Sequence, residues 1–304
     1  MTIRGRILYV VGFDDTEAAV SWQVAEFSKA WRAPIVLLGV RRAHWLPFLE
    51  KDGRRALKRA TVDVAKHLRG LRGHVAGIKV AFGDPPIEAR RVADQIGATL
   101  IMVGAGPEAL TDPRAISATA LTIARRAPQD VWICKPFADP HIDHVLCAAD
   151  TSPLAGEAVQ RAAGICRRFN ARLRVLSVLA EPPPPLPNAA SSDDPDAAVL
   201  AGRRRQKLFL DQFDLQGIAL SRAIVWGTQT PVELLLEAEH YTDGLLVMGA
   251  ISGPQHGANG LGATTEPVLR ACPSSLLIVR HGPRRRAATG AGTRVALTED
   301  ADGG

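Results

Sequence analysis

The chain has 304 residues, 46% apolar and 22% charged, a balance that excludes a disordered chain and leaves room for two domains with real cores. The formal net charge is +6. No apolar run approaches the roughly 18 residues that a membrane span needs, so no membrane contact is expected.

The N-terminal stretch "MTIRGRILYVVGFDDTE" places basic residues before an apolar run, but that run is short and ends in acids. It reads as a first strand rather than an export signal, and the expectation is a cytoplasmic protein. Further strands are predicted at about 34–40, 77–81, 100–103 and 130–134, after the first at 7–13. A second set follows at about 144–148, 172–179, 218–225, 245–248 and 275–279, with helix-length amphipathic stretches between. Such short, nearly all-apolar runs alternating with helices signal a parallel sheet covered on both faces. "PFADPHIDH" (136–144), with two prolines, is the expected linker. Residues 181–198 read as an irregular Pro-rich and acidic loop, and the chain from 282 onward reads as a disordered tail. The four cysteines show no zinc-type spacing and no CxxC, and Cys134 and Cys147 sit in strand-like runs as small hydrophobes.

The two sets of strands are a repeat. At an offset of 136 to 145 residues, Asp14 answers Asp150 and Gly83 answers Gly227. "TLIMVGAG" (Gly104) answers "GLLVMGAI" (Gly249), and "IARRAPQDVWICKP" answers "VLRACPSSLLIVRH". Four landmarks in one order make this an internal duplication, so each candidate site residue has a counterpart to be compared with.

In such sheets ligands bind where strands end and helices begin. The turn after each opening strand carries Asp14-Asp15-Thr16 and Asp150-Thr151-Ser152-Pro153. Thr16 and Ser152 are good helix N-caps and Pro153 suits a first helical position, but capping does not explain an aspartate two residues earlier in both copies. After the fourth strand of the second copy, residues 249–262 hold five glycines, which could bring backbone N–H groups close to phosphate, although no Lys or Arg lies among them.

These motifs, with the closing "G-x-x-x-E-x-V-L-R-x-x-P" helix, resemble the universal stress protein family in its tandem form, over nearly the whole chain. The resemblance implies two tandem adenine-nucleotide-alpha-hydrolase-like (Rossmann-like) α/β domains, 1–138 and 139–281, each a five-stranded parallel sheet with helices on both faces. It implies that the two halves pack as a built-in pseudo-dimer, with the strands "VWICK" and "SLLIVR" as edges needing cover. It also implies a nucleotide loop of the form G-x2-G-x9-G-[S/T]. The second copy supplies Gly249 and Gly262, with Ser252 at the second glycine and Ala263 at the hydroxyl, Thr264 following. The first copy keeps Gly104 but has Pro107 and Ser117 at the later glycines, and carries Glu108 and Asp112 against Arg114. Pro107 lacks a donor and Ser117 adds a side chain where phosphate would approach, so the first site is degenerate. If ATP is bound, Asp150, Gly249, Ser252, Gly262 and Thr264 would hold it.

Residues 54–72 form a predicted helix with Leu57, Ala60, Val64, Leu68 and Leu71 on one side and seven cations facing away, against Asp63 alone. This reads as a solvated face or as a surface for nucleic acid or an acidic partner, and the lack of interleaved aromatics disfavours single-strand stacking. His141 and His144 lack a third ligand for a metal, and there is no nucleophile elbow or P-loop. The leading expectation is a non-enzymatic stress-response protein acting through protein contacts, with a homodimer left open. The alternatives are an ATP-gated switch in the second half, or a module using the basic helix to bind nucleic acid or an acidic partner.

Overall fold

The computed structural model describes residues 5–42, 50–180, 195–227, 229–250 and 261–280. In the first half the order is β1 (Arg6–Val11), α1 (Glu17–Trp31), β2 (Ile35–Arg41), α2 (Glu50–Gly70), β3 (Val75–Phe82), α3 (Pro85–Ile96), β4 (Ala98–Gly104), α4 (Ala118–Arg126) and β5 (Asp130–Cys134). The second half repeats it with β6 (His144–Ala148), α5 (Pro153–Phe169), β7 (Arg172–Ala180), α6 (Pro195–Leu210), β8 (Leu220–Gly227), α7 (Thr230–Ala238), β9 (Leu245–Ala250), α8 (Thr265–Ala271) and β10 (Ser275–Arg280). All ten expected strands are present. The third strand begins earlier than expected and the eighth later, and the basic helix ends at Gly70, with Arg72 beyond it in a left-handed conformation (φ 63°). The Pro-rich segment and the tail lie outside the described residues, except that α6 already begins at Pro195, inside the stretch expected to be irregular.

Within each half every strand pairing is parallel, as the resemblance implied. The halves do not form two separate sheets, however. The closing strands β5 and β10 pair antiparallel, Val131 opposite Ile278 and Ile133 opposite Leu276, giving one ten-stranded sheet in the order β3-β2-β1-β4-β5-β10-β9-β6-β7-β8. Each closing strand covers the other's exposed edge, so neither is left to pair with another chain.

An antiparallel central pair places a local twofold axis across the sheet, and the contacts follow it. The Lys135 N–H, just past β5, donates to Ser275 Oγ at 3.0 Å, and the Arg280 N–H, ending β10, donates to Asp130 Oδ1 at 2.9 Å. Lys135 and Arg280 are repeat counterparts, and so are Asp130 and Ser275. The axis also puts equivalent helices on one side: one core cluster draws on α1, α2, α5 and the end of α6, the other on α3, α4, α7 and α8. Across the first cluster Phe27 stacks on Trp31 at 4.2 Å and meets Trp132 edge-on at 4.9 Å, while Phe169 of α5 lies 5.8 Å from Trp31.

On the other side Arg125 of α4 grips Glu266 of α8 with two hydrogen bonds, 3.1 and 2.5 Å. Those bonds, outweighing partial burial, hold the Glu266 carboxyl below the usual carboxylate range. A folded-state pKa below the unfolded one adds stability that is present above the ordinary carboxylate pKa and lost as pH falls through the depressed value. A double-mutant cycle over Arg125→Ala and Glu266→Ala is expected to return a coupling of about 1 kcal/mol at pH 7, shrinking toward pH 3. Urea unfolding reads it, and a coupling indistinguishable from zero at pH 7 would mean that this ion pair adds nothing to the join between halves.

Candidate functional site

The first-strand aspartates have the same local task in both halves. Asp150 Oδ1 accepts from the Ser152 N–H at 3.0 Å, and Asp14 Oδ1 accepts from the Thr16 N–H at 2.9 Å. Each closes a short turn ahead of a helix, which is the reason for the aspartate that capping alone leaves open. Ser152 caps α5 as expected, its Oγ accepting from the Ala155 N–H at 3.2 Å, with Pro153 at the first helical position. Thr16 does not cap α1: its hydroxyl donates to Asp14 instead.

The two turns nevertheless sit at different heights. Val10 pairs with Val103 and Ala148 with Met248, the residues just before Gly104 and Gly249, so Val10 and Ala148 are equivalent stations. Asp14 therefore lies two residues further along the chain from the sheet than Asp150. The extra residues are accommodated by Glu17, whose carboxylate turns back to accept from the N–H groups of Gly12 (3.0 Å) and Phe13 (3.4 Å). It also accepts from the hydroxyls of Tyr9 (2.5 Å) and Ser21 (2.9 Å). Burial raises the Glu17 pKa against these bonds. A carboxylate thus occupies the backbone donors at the end of β1, where an anionic ligand would need them.

The loop after β4 is closed in the same way. The Ser117 N–H donates to Ala105 O at 2.6 Å and its Oγ caps α4 through the Ala120 N–H. Gly106 takes φ 104°, and a Cβ there would stand 2.7 Å from Ser117 Cβ. Pro107 opens a 3-10 turn to Leu110. The fully buried Lys135 ties the loop's far side down, its Nζ donating to Pro113 O at 2.6 Å and Ala115 O at 2.9 Å. Burial lowers its pKa to about 8. The loop expected to be degenerate is bonded to itself.

In the second half the corresponding ends of β6, β7 and β9 leave a cleft of about 270 Å³. Asp150, Gly249, Gly262 and Thr264 all line it, so four of the five candidate residues converge. The fifth, Ser252, lies outside the described residues, as do Gly253, Gly257 and Gly260. Gly249 has a packing reason of its own: a Cβ there would come within 2.5 Å of Leu154 Cγ, so its absence lets α5 approach the sheet. Among the described residues nothing lies within 4 Å of such a Cβ at Gly262. Thr264 makes no side-chain cap, whereas Thr265 donates to Gly249 O at 3.4 Å. The sequence comparison missed the apolar walls (Leu154, Leu176, Val178, Leu234 and Met248) and Thr230, which follows the Gly227 landmark. Among the described lining residues the one charged group is Asp150.

The basic helix buries Leu57, Thr61, Ala65 and Leu68, while Ala60, Val64 and Leu71 are half-buried, so the buried stripe is rotated slightly from the expected one. Arg54 lies over the Phe82 ring at 5.3 Å and Lys66 pairs with Asp63 at 3.2 Å. Among the described residues Arg55, Lys58, Arg59 and Arg69 are exposed without ion pairs. His141 packs on Phe169 and His144 on Tyr241, so the two linker histidines are turned to different neighbours.

The family model described as the universal stress protein family matches residues 4–135 and again residues 141–280. The chain belongs to the universal stress protein family. It carries two family units in tandem, and their junction is the β5–β10 pair. Among solved structures, a universal stress protein from Archaeoglobus fulgidus DSM 4304 is similar at 16% identity and a TM-score of 0.69, with 92% of this chain and 100% of that one covered. A functionally unknown protein from Pseudomonas aeruginosa PAO1 is similar at 18% identity and a TM-score of 0.65, over 91% of this chain and 93% of that one. At such identities these likenesses speak for the fold. No curated protein matches the sequence. Among the described residues, no helix of this universal stress protein is long and apolar enough to cross a membrane.

Proposed function

We propose that this tandem universal stress protein is a non-catalytic component of a stress response that works through protein contacts in the cytoplasm. Its first unit (1–138) holds no nucleotide. Its second unit (139–281) holds adenine nucleotide weakly, through Asp150, Gly249, Ser252, Gly262 and Thr264. What carries the reading is the contrast between two copies of one site. In the first, Glu17, Ser117 and Lys135 use up the donors and close the loop. In the second, the cleft is open but opposes a polyphosphate with no described cation, and its one described charge is a carboxylate.

Equilibrium binding of labelled ATP tests this. The wild type is expected to bind with a dissociation constant of about 0.1 mM or weaker, roughly −5.5 kcal/mol. Gly262→Val places a side chain where no described residue stands within 4 Å, so the described fold should tolerate it while phosphate approach is blocked. Its binding should fall at least about tenfold, and Ser117→Gly should add no second site. Submicromolar binding, turnover of ATP, or indifference to Gly262→Val would each overturn the proposal.

A further inference from the structure

A second cleft, of about 330 Å³, opens at the opposite end of the same sheet, where β6, β7 and β8 begin. His144 opens β6 and is paired in register with Arg172, which opens β7. Arg174, two residues on and therefore on the same face, is paired with Leu146 on one side and Ser221 of β8 on the other. The wall is Tyr241, from the 3-10 turn Glu239–Tyr241, its ring 5.4 Å from that of His144 and inclined by 39°.

Charge in this cleft is unbalanced. Arg174 is matched by Glu237 at 2.5 Å. Arg172 is exposed and, among the described residues, its side chain has no hydrogen bond or ion pair. One cation is left over beside two aromatic rings.

The first half supplies an internal control. Ile7 pairs with Ile35 and Leu100 as Val145 pairs with Leu173 and Leu245, so His144, Arg172 and Arg174 correspond to Arg6, Pro34 and Val36. By the repeat offset at β4 and β9, Tyr241 corresponds to Ile96. There Arg6 closes the corner by donating to Ile96 O at 3.0 Å. The first copy thus has one cation, spent on a backbone carbonyl, and no aromatic ring, so the fold does not require the set Arg172, Arg174, His144 and Tyr241 here.

We infer that this cleft is a second ligand site, for a small monoanion carrying a planar ring. The ring lies against Tyr241 and His144, and the anionic group pairs with the Arg172 guanidinium. The volume is near the lower end for small-molecule sites, which suits a single ring with one substituent. The site is separate from the nucleotide cleft, with which it shares no lining residue, although β6 and β7 run to both.

Benzoate is the probe, titrated by saturation-transfer NMR against the full chain, with cyclohexanecarboxylate as a partner of like charge and size but no π face. Benzoate is expected to bind saturably in the millimolar range and cyclohexanecarboxylate several-fold more weakly. Arg172→Gln should weaken benzoate about tenfold, as loss of a charge-assisted hydrogen bond does, and Tyr241→Ala should weaken it several-fold. Gly262→Val should leave it unchanged. Urea unfolding of each variant checks that the fold is intact. No saturable binding, binding indifferent to Arg172→Gln, or loss of binding in Gly262→Val would overturn the site, and equal binding of the two carboxylates would overturn its aromatic character.

Discussion

Ile278→Asp is expected to cost about 4 kcal/mol or more of unfolding free energy, the largest effect of any single substitution considered for this chain. Ile278 is fully buried in β10, between Val131 of β5 and Met248 of β9, with no cation in register to receive a carboxylate. An unpaired charge there must be protonated or the strands must part. Because β10 is the inner neighbour of β5, the damage should reach the first half as well. Urea unfolding followed by circular dichroism measures the loss, and amide hydrogen exchange in β5 measures its spread. Ile87→Asp, at a side chain 58% exposed, is the control and should stay within about 0.5 kcal/mol. If β5 amides exchange at the wild-type rate in Ile278→Asp, the first half owes its stability to its own core and not to the continuous sheet.

The second large effect is with alkali. All four cysteines are buried free thiols, and burial pushes each pKa up, to about 12 for Cys166, well up for Cys134 and Cys147, and upward for Cys272. An acid whose folded pKa lies above its unfolded value keeps a proton that the unfolded chain has lost. Its contribution to stability is present below the ordinary thiol value of about 9 and is lost progressively as pH rises from there toward the folded value. Each such group costs about 1.4 kcal/mol per pH unit in that window. Lys135 acts the other way: its pKa is lowered to about 8, so stability grows as pH rises from there toward the ordinary lysine value. Cys134, Cys147 and Cys166 against one lysine give a net loss of about 3 kcal/mol per unit as pH 10 is approached, with Cys272 acting in the same direction. Urea midpoints under reducing conditions at pH 7, 9 and 10 should therefore show little change to pH 9 and a steep fall after it. Cys147→Ala with Cys166→Ala should remove two-thirds or more of the slope, whatever the pair costs in packing at pH 7. A midpoint unchanged at pH 10 would mean that the thiols reach water without unfolding.

Both effects come from side chains whose burial was readable in the sequence and whose neighbours were not. Cys134 and Cys147 were legible as small hydrophobes because they sit in apolar runs of strand length. Ile278 was legible as a closing-strand residue, but its partner Val131, 147 positions away, was not, since the resemblance indicated only that two edges needed cover. The first loop's departure from the glycine pattern was also legible, because Pro107 and Ser117 stand where the other copy partly keeps it. Its physical form was not. Glu17 turning back to the β1 donors, and Lys135 reaching Pro113 and Ala115, depend on chain directions that no spacing rule encodes.

The sequence by itself determined the repeat, the ten strands, the family and the different residues that stand at matched stations of the two candidate sites. These follow from local hydrophobic period and from which residue types stand at matched stations, and a linear chain displays both. Only the tertiary structure decided that the two halves share one sheet, that the recurring aspartates close turns, and that a cationic, aromatic cleft stands at the far end of the second half. Those depend on strand register and on which side chains a twofold arrangement brings within a few ångströms, which is settled by packing between residues distant in sequence.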